Sequence, residues 1–129
     1  MRIDQWTHDL PSRLELAAEI VDDLATSDWV VSDDHRDRLF AVEVQIWRIA
    51  QTTRKAAGQL AELVPFLDRS LRAVRSNVRL CLKIPVCDED DGVELLEGVG
   101  REFDEAIAEF EVLTRTDDPP FRVVAGGRS

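Results

Sequence analysis

The chain has no tyrosine, a single methionine and only two histidines and two cysteines in 129 residues. Two cysteines, Cys81 and Cys87, cannot build a disulfide framework. The histidines, His8 and His35, belong to no His-Glu-x-x-His pair and no Cys/His cluster with metal-ligand spacing. Gly-x-Ser-x-Gly, P-loop and dinucleotide fingerprints are all missing. An enzyme built from this sequence would have to work with carboxylates and arginine alone. The chain also lacks any apolar run near the ~18 residues that a bilayer demands. The opening MRIDQWTHDL holds no apolar signal region, so the expectation is a cytoplasmic protein with no membrane contact. Alternating strand patterns, internal repeats and low-complexity tracts are absent too.

What is present is charge and helical periodicity. Charged residues make up 33% and the formal net charge is −10, unevenly spread. Residues 1–47 carry a net −7, residues 48–87 a net +6 and residues 88–129 a net −9. A basic centre between acidic flanks either is neutralised within the fold or serves an anionic partner.

Four amphipathic segments account for most of the chain. The first spans about Asp9 to Ala25, with Pro11 in its first turn and Leu10, Leu14, Ala17, Val21 and Leu24 facing inward. Trp29, Val30 and Val31 then cover one end of the core. The second segment is capped at Ser32 or Asp33 and keeps one apolar phase from Leu39 through Thr53 to Val64. Its unbroken phase predicts one long helix to about Leu63, roughly 30 residues and ~45 Å, with a break at Gly58 as the alternative. A third helix follows from Pro65 to Leu82, facing inward with Leu67, Leu71, Val74, Val78 and Cys81. A fourth starts at Asp91 and buries Leu96, Val99, Phe103, Ile107 and Phe110. Within it, Gly98 and Gly100 weaken the first half and can allow close helix approach. The fold class expected is all-α: an antiparallel bundle of about four helices over residues 1–116, with one long central helix. Pro119 and Pro120 make residues 117–129 a non-helical tail.

Three features carry candidate function. Arg69, Arg72, Arg75, Arg79 and Lys83 lie within about 120° of one face of the third helix. Arginine forks suit phosphate oxygens or an acidic protein surface, yet the net charge and the lack of interleaved aromatics weigh against nucleic acid. The bland reading, pairing with acidic neighbouring helices, is favoured over both. Phe40, Val44 and Trp47 form a second apolar stripe on the second helix, about 100° from the core stripe, which fits a subunit contact or an extra flank of core. Carboxylates gather on the first helix (Glu15, Glu19, Asp22, Asp23) and the fourth (Glu102, Glu105, Glu109), without the Glu-x-x-His of di-iron bundles. The acidic run from Asp88 to Asp91 fails the EF-hand pattern at both ends.

The reading that follows is a small interaction or regulatory module with no cofactor. It is expected to pair with itself as a homodimer, or with a protein partner, through Phe40, Val44 and Trp47. The alternatives are an accessory nucleic-acid-binding subunit using the basic row and a carboxylate-metal hydrolase.

Overall fold

A computed structural model of the chain describes residues 2–30, 32–56, 58–84 and 90–116. Four helices make up the described residues, and no strand occurs among them: α1 (Ile3–Ala25), α2 (Asp33–Lys55), α3 (Leu60–Leu82) and α4 (Asp90–Thr116). Each packs on two neighbours, α1 on α2 and α4, and α3 on α2 and α4. The α1/α2 contact is the most extensive and the α1/α4 contact the slightest of the four.

The inward stripes read from the sequence are the core. Leu10, Leu14 and Val21 of α1 are buried against Leu39 and Ile46 of α2, Leu67 and Leu71 of α3, and Leu96 and Phe103 of α4. Trp29 and Val30, after α1, are buried as expected, whereas Val31 lies outside the described residues.

Two helix boundaries differ from the sequence reading. The long central helix is in fact two: α2 ends at Lys55 and α3 begins at Leu60. The hinge is Gly58, whose φ of +88° is a left-handed conformation that side-chain-bearing residues rarely adopt. Arg54 and Lys55 place positive charge on the last turn of α2, where the helix dipole favours it. Pro65 consequently sits inside α3 rather than at its start.

The second difference is that α1 begins six residues earlier than Asp9, at Ile3, and carries Pro11 in its interior. An internal proline removes one backbone hydrogen bond and costs about 3 kcal/mol. Extending the helix buries Ile3 and Trp6, worth about 4 kcal/mol together, which outweighs the lost bond.

Ser32 caps α2 as expected, its hydroxyl accepting from the His35 backbone N–H at 3.1 Å. The predicted tail at residues 117–129, and Cys87 with the acidic turn at Asp88 and Glu89, lie outside the described residues. Among the described residues, no helix is long and apolar enough to cross a membrane.

Candidate functional site

The basic row on α3 meets the acids of α4. Arg72 is bound on both sides, by Asp68 one turn earlier at 3.1 Å and by Glu111 of α4. These two carboxylates, Glu111 foremost, push the Arg72 pKa up. Arg75 and Arg79 converge on one α4 carboxylate, Asp104, at 3.7 and 3.2 Å. Arg69 and Lys83, at the two ends of the row, are exposed and reach no carboxylate among the described residues. Each of the three central arginines is thus ion-paired to a carboxylate within the fold, while Arg72 and Arg79 keep 40% and 57% of their side chains exposed.

The Phe40-Val44-Trp47 stripe is divided. Phe40 and Trp47 are half-buried and pack on the core, while Val44 is 53% exposed. Trp47 donates from its indole N–H to Glu43 at 3.1 Å. Burial pushes the Glu43 carboxyl pKa up, the Trp47 hydrogen bond opposes this, and the nearby Asp22 carboxyl of α1 adds to the rise.

The carboxylates of α1 and α4 do not assemble a metal centre. No group of three or more His, Cys, Asp or Glu residues is close enough to hold an ion among the described residues. Glu15 is engaged by Arg54 of α2, at 2.9 Å through one guanidinium nitrogen. Glu102 and Glu109 are both engaged by Arg13 of α1. Its Nε and Nη1 lie 2.7 Å from Glu102 and 2.8 Å from Glu109. Glu109 also accepts the Trp6 indole N–H at 2.9 Å. Burial disfavours charge on Glu109, but the bonds from Arg13 and Trp6 outweigh it and hold its pKa below the usual carboxylate range. Cys81 is buried, and burial pushes its thiol pKa up, away from reactivity.

Arg13 marks a feature that the sequence reading missed. It lines two grooves that follow one another along the α1/α4 seam. The first, of about 560 Å³, is walled mostly by Trp6, Ala108, Val112 and Leu113. The second, of about 610 Å³, is walled by Leu16, Ile20, Leu95 and Val99, with Glu94, Arg101 and Glu105 at its rim. Leu16 is 64% exposed, Leu95 49% and Val112 54%, so most of the large exposed apolar side chains of the described residues lie on this one seam. A signal for it was present. Leu16 and Ile20 stand one turn apart on α1, off the inner stripe of Leu14, Ala17 and Val21, and Leu95 stands off the stripe of α4. No protein-family model, no curated protein and no solved structure matches the chain.

Proposed function

We propose that this chain is a protein-interaction module, an antiparallel four-helix bundle whose partner seats on the α1/α4 seam. The observation that carries the reading is the gathering of Leu16, Leu95 and Val112 along the two grooves. Exposed apolar side chains are ordinary when scattered and informative when gathered in a concave surface. The antiparallel arrangement is supported by the order of the pairings. Along α1 and α4, Trp6 meets Glu109 and Arg13 meets Glu102, and along α3 and α4, Arg72 meets Glu111 and Arg79 meets Asp104, so numbering rises on one helix as it falls on its neighbour.

Co-purification with the tagged chain from its source cells, quantified by mass spectrometry, tests the reading. A partner retained by the wild type and by Arg69→Glu/Lys83→Glu should be lost from Leu16→Asp/Leu95→Asp. An unchanged profile for the seam variant contradicts the proposal.

Self-association through Val44, flanked by Phe40 and Trp47, is a second reading, resting on the exposure of Val44. It predicts that Val44→Asp lowers the mass seen in light scattering. Against nucleic-acid binding by the basic row stands the pairing of Arg72, Arg75 and Arg79 with Asp68, Asp104 and Glu111, which leaves Arg69 and Lys83 as its unpaired cations among the described residues. Two phosphate contacts support only weak, salt-sensitive affinity.

A further inference from the structure

We infer that the occupant of the α1/α4 seam is a basic amphipathic helix, an inference that rests on the protein-interaction reading above and specifies its partner.

Shape is the first argument. The grooves run from Trp6 to Ile20 along α1, a span of about 20 Å at the helical rise. That length accommodates about 14 residues of an added helix, or four turns. The walls are side chains of two neighbouring helices, the surface into which the ridges of another helix pack. An extended peptide would need a sheet edge to pair with, and no strand occurs among the described residues. Apolar anchors stand at both ends, Leu113 and Trp6 at one and Leu16, Ile20 and Leu95 at the other, with the Arg13 bridge to Glu102 and Glu109 between them.

Charge is the second argument, and it selects among helices. Arg13 is consumed by Glu102 and Glu109. The remaining charges that line the grooves are Asp9, Glu94 and Glu105 against Arg101 alone. Beyond the seam, α1 itself carries a net charge of −5 and α4 a net charge of −7. A helix with lysine or arginine flanking its apolar stripe meets this field favourably and is steered toward it. A second copy of the chain would bring the same acidic rim against itself, because a two-fold contact opposes like surfaces. Anionic membrane and nucleic acid are repelled by the same field. The acidic rim around an apolar floor thus names the chemistry of the partner: leucine-type anchors at i, i+4, i+7 and i+11 within a cationic frame.

The probe is a fluorescent synthetic peptide of about 16 residues with leucine at those four positions and lysine beside them. Two controls accompany it. One is an analogue with every lysine replaced by glutamate, and the other is a scramble of the basic peptide that destroys the helical period. Anisotropy titrations at about 50 and 300 mM salt measure binding to the full chain. The basic helix should bind the wild type, weaken with salt, and lose about tenfold or more in affinity for Leu16→Asp/Leu95→Asp. Glu94→Lys/Glu105→Lys, which leaves the apolar floor intact, should turn the preference toward the acidic analogue. All four positions are surface sites, and far-UV circular dichroism with a thermal melt verifies that each variant is folded. Equal binding of the scramble, equal binding of the acidic analogue to the wild type, or no binding of the basic helix overturns the inference. A wild-type dimer that Leu16→Asp dissociates also overturns it, by making the occupant a second copy, while leaving the protein-interaction reading intact. That reading fails separately if the seam variant leaves the co-purification profile unchanged.

Discussion

Trp29 and Gly92 are in such close contact that nothing larger than hydrogen fits between them. A Cβ built on Gly92 would lie 2.6 Å from three carbons of the Trp29 indole. An indole is rigid, so either the ring or α4 has to move. Alanine normally gains about 1 kcal/mol over glycine inside a helix. Here overpacking, at about 1–3 kcal/mol, should win. Gly92→Ala is therefore expected to destabilise the chain in urea unfolding. Gly98→Ala, whose new methyl would meet only the Arg101 guanidinium at 3.7 Å, should stabilise it by about 0.5–1 kcal/mol. Both substitutions add the same methyl to the same helix, so opposite signs isolate the contact with Trp29.

The same tryptophan lies beside His35, with ring centroids 5.1 Å apart. His35 is 0% exposed, and neither ring nitrogen has a hydrogen-bond partner among the described residues. Burial pushes its pKa down, with Asp34 acting weakly the other way. The sign follows from linkage. Below the ordinary pKa near 6.5 the unfolded chain takes up a proton that the folded chain resists, so stability falls as pH drops through that window. His35→Leu removes the titration and two unsatisfied polar atoms together. Melts between pH 7 and pH 5.5 should show the variant losing less stability than the wild type. An identical slope would mean that His35 does not titrate in this way.

Glu43 titrates in the opposite sense. Its pKa is raised by burial and by Asp22, so the folded chain binds the proton more readily than the unfolded chain. Stability is thereby lost as pH rises through the ordinary carboxylate range toward neutral. Glu43→Gln imitates the protonated form and keeps an oxygen for the Trp47 indole. A rise in Tm of about 1–3 °C is expected at pH 7, shrinking toward pH 4.5.

Asp104 serves two arginines, so its loss should be felt by both. Asp104→Asn leaves Arg75 and Arg79 without their shared carboxylate. Each pair is partly exposed and contributes modestly, so a cost of about 0.5–1 kcal/mol is expected. The loss should shrink at high salt, which screens the pairs in the wild type as well. A variant as stable as the wild type at low salt would mean that the row is solvated rather than paired.

Much of the fold was legible because helical periodicity is local. Leu10, Leu14 and Val21, or Leu67, Leu71 and Val74, declare their inner face without reference to any other helix. The break between α2 and α3 was not, since Ala57, Leu60 and Val64 continue the spacing of Thr53 across it. Phase alone cannot distinguish a continuing helix from two helices joined by a short turn. The stop signal was compositional, in Arg54 and Lys55 followed by Gly58. The early start of α1 was hidden by Pro11, which local propensity reads as a beginning and which tertiary burial of Ile3 and Trp6 overrides.

The candidate site was less legible, because it lies between helices far apart in sequence. That α4 acids reach Arg72, Arg75 and Arg79 follows from the charge blocks only in outline. Which acids do so, Asp104 and Glu111, depends on the relative height of α3 and α4. The seam is harder still. Leu16 and Leu95 stand off the inner stripes of their own helices, but that they form one surface shows only when α1 and α4 lie side by side.

The central claim, that this seam holds a protein partner, is tested most directly by photo-crosslinking in the source cells. A photoreactive amino acid is placed at position 95 in one strain and, as a control, at exposed Glu62 of α3 in another. The account predicts a discrete protein adduct from position 95 that Leu16→Asp abolishes and that Glu62 does not yield. Equal adduct patterns from the two positions, or none from position 95, would contradict it.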